Sequence, residues 1–478
     1  MKEYQLFIDN EWREGGNGTL DIINPALGTI TARVANANTE DLNFALASAQ
    51  KGHEVWRQTP PKVRGSLLLR AADILESKID TAAIATCHEQ GKSAAEASGE
   101  FIRALETLRW SGEMAAELCA PIIMGGNRTM LPEPIGVVAA FTPWNYPAVI
   151  SARKLAPALA AGCAVILKAA EESPASAVAI IEALQEAGIP AGVVGLIFGH
   201  PPMISKHLLS SKIVRTVTFT GSTQVGKQLA EQAAKNLQSC ILELGGHAPV
   251  IIFDDADIQK TAELISEYKF ESAGQSCNAP SRIFVQRPIY NDFVSAFKKV
   301  AKAIVVGNSE DKNTTMGPMI GQRAIDRMQR LTDDAILKGA TVILGGAPLK
   351  GPGYFWPPTL ISNVPSDALI LIEEPFGPII PIIAFDNIEE VTSQANKSNY
   401  GLASYIFTKS EDTQRKVIDQ LHTGSVTVNM LMGVRADVIN PGIKDSGYGY
   451  EGGIEGFRAF QTLKLVNNAS ATTFLHKG

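Results

Sequence analysis

The sequence predicts an α/β protein built on parallel sheets covered on both faces. Two patterns carry that expectation. Short runs that are apolar on both faces, rich in Val and Ile, recur between stretches of helical periodicity. They also recur in two successive series, which implies two α/β units rather than one.

Taken in order, the run from Tyr4 to Ile8 with the turn Asp9-Asn10 reads as a β-hairpin. Helical periodicity then dominates from Thr39 to about Leu118. Thr39 suits the N-cap, Leu42, Ala45, Leu46 and Ala49 share one face, and Pro60-Pro61 starts the next helix. From residue 135 the first series begins: IGVVAAF (135–141), AVILK (164–168), VVGLIF (193–198), TVTFTG (216–221) and CILELGG (240–246). Helices are expected near 147–161, 174–187, 201–210 and 223–236. The second series is PVIIF (249–253), a helix near 257–271, RIFV (282–285), helices near 288–302 and 321–338, and TVILGG (341–346). The pieces 121–134 and 455–475 fit neither series.

Composition limits the function classes. At about 150 residues per domain, 478 residues predict roughly three domains. A chain 45% hydrophobic and 19% charged has enough apolar side chains for a sizeable core, which excludes disorder over most of its length. A net charge of −6 argues against a nucleic-acid partner. Five cysteines, with no CxxC pair, argue against a disulfide framework or a zinc site and suit a reducing, cytoplasmic setting. The seven histidines are dispersed, without HxH or HExxH, so no metal site is expected. No signal-peptide segment is read at the N-terminus. The apolar stretch Ile135 to Ala152 is interrupted by Pro143, Asn145 and Pro147, so no membrane span is read either.

Four features could carry chemistry. Gly221 to Lys227 forms a glycine-rich strand-to-helix turn suited to an anion, but a P-loop would need Ser or Thr where Gln228 stands. The alternative is an ordinary tight connection. Lys168 ends a buried strand with Glu171 three residues on, where open α/β sheets bind ligands and a carboxylate can hold a ribose diol; an ordinary solvated pair is the other reading. Cys277 sits among small polar residues, unlike Cys87, Cys119, Cys163 and Cys240, so it is the candidate nucleophile, against the commoner case of a cysteine that merely packs. Glu243 is a lone acid at the end of an apolar strand, either a general base or a structural ion-pair member.

The segments FTPWNYP (141–147), LKAAEESP (167–174), FTGSTQVG (219–226), LELGGHAP (242–249), GQSC (274–277), EEPFGP (373–378) and PGIKDSGYGYEGG (441–453) resemble, in order and spacing, the NAD(P)-dependent aldehyde dehydrogenase superfamily over essentially the whole chain. The resemblance implies an aldehyde dehydrogenase-like fold. A variant Rossmann cofactor domain (1–120 and 135–246) and an α/β catalytic domain (247–440) are accompanied by a small β oligomerisation module (121–134 and 455–475). It also implies oxidation of an aldehyde to its acid through a cysteine thiohemiacetal and thioester. Cys277 matches the nucleophile, Glu243 the base that activates water, and Asn145 the oxyanion donor. Cofactor contacts carried over are Thr142, Trp144, Lys168, Glu171, Gly221, Ser222, Gly245, Glu374 and Phe376, with NAD favoured over NADP because Glu171 would repel a 2′-phosphate.

The tail KDSGYGYEGG resembles the succinate-semialdehyde dehydrogenase branch. Of the two arginines that hold a substrate carboxylate there, one matches Arg153, although a structural arginine is an equal reading. The other position is Glu271, an acid expected to repel an anionic tail, with Arg435 as a substitute; the alternative is an aldehyde dehydrogenase for neutral or cationic aldehydes. Asn440-Pro441-Gly442 stands where the family usually has Phe-Gly-Gly. A cysteine hydrolase using His247 and a non-catalytic binding protein on this scaffold are the competing readings, and a homodimer or homotetramer the expected assembly.

Overall fold

The computed structural model describes residues 1–125 and 127–468. Its first large sheet has eight strands, in the order Gly447–Tyr448, Ser239–Glu243, Val214–Thr220, Val137–Phe141, Ala164–Lys168, Val194–Ile197, Leu6–Ile8 and Glu11–Arg13. The middle five run parallel, and the edges are antiparallel. All five residues of both Val137–Phe141 and Ala164–Lys168 are buried, which is why these runs lack polar alternation. The helices Pro147–Ala161, Pro174–Ala187, Pro201–Ser210 and Thr223–Ala234 link the strands. The first three open on proline, whose missing N–H costs nothing in the first turn.

Chain order and sheet order diverge at one place. From Val137–Phe141 the chain steps outward through Ala164–Lys168 to Val194–Ile197, then returns to build Val214–Thr220 on the opposite side. This reversal opens a crevice at the carboxyl ends of Val137–Phe141 and Val214–Thr220, where open α/β sheets bind ligands.

The second sheet has seven strands in the order Thr341–Leu344, Thr359–Ser362, Ile379–Phe385, Arg282–Gln286, Pro249–Ile252, Ala403–Phe407 and Ser425–Val428, parallel except at the first pair. A third sheet joins Gln461–Asn467, Arg128–Pro134 and Ile122–Gly125, so the two segments that fit neither series pair with each other. Residues 469–475 of the expected module lie outside the described residues.

The N-terminal hairpin turns at Asp9 and Asn10, with φ of 56° and 66°, the left-handed pair that a two-residue hairpin loop needs. Two differences from the sequence expectation appear. The N-cap of the helix Thr39–Trp56 is Asn38, not Thr39: its side chain accepts from the Glu40 and Asp41 amides while the Asp41 carboxylate returns a bond to the Asn38 N–H. A three-stranded sheet of Lys2–Tyr4, Thr29–Ala35 and Thr19–Asn24 also precedes that helix.

Candidate active site

The crevice deepens into a cavity of about 570 Å³ between the two large sheets. Three strand ends of the first sheet feed it: Pro143 to Tyr146 after Val137–Phe141, Thr220 to Ser222 at the end of Val214–Thr220, and Glu243 to Gly245 from Ser239–Glu243. The second sheet contributes Ser276, Cys277 and Asn278 from the loop before Arg282–Gln286, with Glu374 and Phe376 opposite. Cys277, Glu243 and Asn145, distant in sequence, thus line one cavity.

The cysteine loop is held under strain and from many sides. Ser272 and Ala273 have φ of 48° and 54°, a region side chains rarely adopt, and such strain persists only where surroundings enforce it. The Glu96 carboxylate accepts from the Ser272 amide (2.7 Å), Gln90 Nε2 donates to Ser272 Oγ (2.9 Å), and the Tyr405 hydroxyl donates to the Asn278 carbonyl (2.7 Å). Gln275 accepts from the Ile320 amide and donates to Ser272 O. The LELGG strand end approaches so closely that a Cβ on Gly246 would sit 2.2 Å from the Cys277 carbonyl oxygen, which explains why only glycine fits there. Burial pushes the Cys277 thiol up, and the negative charges of Glu374 and Glu243 add to the effect.

Asn145 is held between two partners. Its carbonyl accepts from Lys92 Nζ (2.8 Å) and its Nδ2 donates to the Gln275 carbonyl (2.9 Å), which leaves the second Nδ2 hydrogen for another acceptor. Lys92 is itself buried against Glu100 (2.6 Å) and lies 4.2 Å from the Tyr146 ring centroid. Glu100 also accepts from the Ala148 and Val149 amides, capping the helix that follows Asn145.

Glu243 is almost fully buried, and its carboxyl is pushed well above the usual range by burial and then by the neighbouring Glu451 charge, with Arg153 and Lys154 opposing. Glu451 accepts from Lys154 Nζ and Thr218 Oγ1 and lies 3.7 Å from Arg153 Nε. Glu243 Oε2 accepts from Asn440 Nδ2 at 3.0 Å, and Oε1 is buried without a partner. These neighbours assemble because the strand Gly447–Tyr448 pairs with Ser239–Glu243, which brings residues 440 and 451 to Glu243.

Trp144, Gly221, Ser222, Gly245, Glu374 and Phe376 line the cavity wall. Trp144 and Phe376 meet edge to face at 5.8 Å, with Phe376 at φ 51°. Glu374 accepts from the Gly246 amide (3.0 Å), and burial raises its carboxyl to about 7. Lys168 and Glu171 form an ion pair (2.6 Å) at the neighbouring strand end, outside the cavity lining, and Glu171 also accepts from the Gly199 amide (2.9 Å). Thr142 is buried, its amide bound to the Lys168 carbonyl.

The three substrate positions fall in different settings. Glu271 is not a free acid: it faces Arg103 at 3.6 Å, and both side chains line the cavity. Arg153 lines the cavity but is also tied to structure, donating to the Arg435 carbonyl (2.9 Å). The Arg435 side chain pairs with Asp437 and is not part of the lining, although Gly433 and Val434 beside it are. His247 is buried with Nε2 against the Ile370 carbonyl and is not part of the lining, which removes the base that a cysteine hydrolase would use. Lys227, the lysine of the GxxxxGK spacing, pairs with Asp445 at the surface. Sequence reasoning missed Lys92, Glu100, Arg103, Lys154 and Glu451, as well as Arg323 and Arg327, which line the cavity from the helix Gln322–Leu337.

The sequence matches the aldehyde dehydrogenase family over residues 12–466. The chain belongs to the aldehyde dehydrogenase family. It is 42% identical to a 4-(hydroxymethyl)benzenesulfonate dehydrogenase of Comamonas testosteroni over 97% of this chain and 98% of that protein. It is 36% identical to the NADP(+)-linked succinate-semialdehyde dehydrogenase of Escherichia coli (strain K12), covering 97% of each. A crystal structure of an E. coli NADP-dependent enzyme superposes with a TM-score of 0.95 at 35% identity, over 97% of this chain and 98% of that one. The chain is thus an NAD(P)-dependent aldehyde-oxidising dehydrogenase with the fold of this family. No helix among the described residues is long and apolar enough to cross a membrane.

Proposed function

We propose that this aldehyde dehydrogenase oxidises an aldehyde bearing an anionic tail to the free acid, with Cys277 as nucleophile and NAD as the preferred cofactor. The meeting of Cys277, Glu243 and Asn145 in one cavity carries the reading. Cys277 attacks the aldehyde carbon as the thiolate, its proton having passed to solvent. The second Nδ2 hydrogen of Asn145 and the Cys277 amide hold the developing oxyanion, a donor pair worth about 3 kcal/mol each. Trp144, Ser222, Glu374 and Phe376 would hold NAD, which would supply the hydride acceptor. Glu243, the buried carboxylate kept basic by its surroundings, then takes a proton from the water that attacks the Cys277 thioester, the acid leaves with the thiolate restored, and Glu243 returns its proton to solvent.

The wall formed by Trp144, Ser222, Glu374 and Phe376 fits a nicotinamide nucleotide: a Cβ on Gly245 would lie 2.9 Å from Glu374 Oε2, so only glycine leaves that carboxylate its place. The Glu171 carboxylate beside Lys168 suits a ribose diol and opposes a 2′-phosphate, which favours NAD although the E. coli relative is named for NADP(+). An anionic tail is supported by Arg103 and Arg153 in the lining, and by Arg103 countering Glu271. The named substrates of the relatives carry a sulfonate or a carboxylate. The third sheet exposes Ile123, Met124, Leu463 and Leu465, a surface suited to a homodimer or homotetramer. Five free cysteines, one of them the nucleophile, suit the cytoplasm.

The test is a kcat/KM panel with NAD and NADP across succinate semialdehyde, a sulfonated benzaldehyde, neutral aldehydes and amino-aldehydes. Preference for an amino-aldehyde refutes the anionic tail, and preference for NADP refutes the cofactor choice. NADH formation by the Cys277→Ala variant at the native rate refutes the mechanism.

A further inference from the structure

We propose that Asn440 is a positioning residue for Glu243: its side-chain amide holds one carboxyl oxygen and leaves the other turned to the water that splits the Cys277 thioester. The geometry is direct. Nδ2 donates to Glu243 Oε2 at 3.0 Å, while Oε1 is buried without a partner, and both residues line the cavity that holds Cys277. A carboxylate fixed at one oxygen is oriented at the other.

The loop carrying Asn440 is rigid enough for that role. The Asn440 amide donates to the Glu451 carbonyl (2.9 Å), and the Gly453 amide to the Ala436 carbonyl (2.9 Å). Pro441 restricts the backbone of Asn440 and presses so tightly on Gly424 that a Cβ there would lie 1.6 Å from the Pro441 carbonyl oxygen. An apolar side chain in place of Asn440 could not donate to Glu243.

The groups facing Glu243 set the direction of the pH effect. Glu451 from the segment after Gly447–Tyr448 raises its pKa, Arg153 and Lys154 from the helix Pro147–Ala161 lower it, and the Cys277 thiol faces it across the cavity. The Asn440 amide favours the ionised form and lowers the pKa. Its loss should push Glu243 higher, and because the ionised base is the active form, the acid limb of kcat should move to higher pH.

The inference rests on the thioester mechanism proposed above and is tested in the NAD-saturated enzyme with the best aldehyde of the panel. For Asn440→Leu, NADH should form in a burst approaching one per active site, followed by a steady rate lower by on the order of tenfold, with the acid limb of kcat displaced upward. Asn440→Asp, of the same shape, should displace the limb further, because a second carboxylate then faces Glu243. An unchanged kcat and pH limb in both variants overturns the proposal. So does a first turnover slowed as much as the steady rate, or a change in KM alone, either of which makes Asn440 a substrate contact. A native enzyme that forms no NADH at all fails the function, not the role of Asn440.

Discussion

Replacing Lys92 with Met should destabilise the protein by about 3–4 kcal/mol and weaken catalysis with it. Lys92 and Glu100 are each about 1% exposed and 2.6 Å apart. Removing one partner of a buried ion pair typically costs about 3–5 kcal/mol, because the other charge is stranded. Glu100 keeps the Ala148 and Val149 amides at 2.6 and 3.2 Å, which places the loss near the lower end of that range. The contact with the Tyr146 ring adds roughly 1 kcal/mol. The same substitution removes the donor to the Asn145 carbonyl, and a displacement of about 1 Å at an oxyanion donor can cost on the order of 100-fold in rate. Urea unfolding followed by tryptophan fluorescence measures the stability change, and kcat/KM the rest. With Glu100→Gln added, the double variant should lose less than the sum of the single losses, by about 2 kcal/mol. A Lys92→Met protein within about 1 kcal/mol of native, or strictly additive losses, refutes the reasoning.

Glu451→Gln should act on Glu243 with the opposite sign to Asn440→Leu. It removes the negative charge that raises Glu243, so the acid limb of kcat moves to lower pH, while Lys154 keeps Thr218 but loses its charged partner and stability falls. A limb that stays in place or moves upward refutes the assignment of that charge. Glu171→Ala should raise the ratio of NADP to NAD kcat/KM on the order of tenfold or more by removing a like charge from the 2′-phosphate, and an unchanged ratio places cofactor choice elsewhere.

The parts of the fold legible in the sequence are those where one physical constraint acts alone. Strands buried on both faces must be continuously apolar, so Val137–Phe141 and Ala164–Lys168 announce themselves. The half-exposed strands Thr19–Asn24 and Thr29–Ala35 do not. Asn38 and Thr39 are both good caps, and the backbone at Asn38, not composition, decides between them. At the site, Cys277 and Glu243 stand out because a thiol among small polar residues and an acid ending an apolar strand are locally unusual. Lys92, Glu100, Lys154 and Glu451 are ordinary helix or loop charges until the fold buries them together. Arg103 lies on the long helix Ala94–Leu118, with nothing in its neighbours to tie it to Glu271.

Glu271 and Asn440 have different consequences for one cavity. Each acquires a partner far away in sequence: Arg103 for Glu271 and Glu243 for Asn440. Glu271 faces Arg103 at 3.6 Å with both side chains partly exposed, so a substrate anion can compete for the arginine in a screened setting. Asn440 bonds a buried carboxylate, where a lost donor is not replaced by solvent. Changes at Glu271 should therefore register mainly in KM and in the choice of tail, and changes at Asn440 in kcat and its pH dependence. That division follows from burial alone, and it lets the mouth of the cavity change its substrate without disturbing Cys277, Glu243 or Asn145.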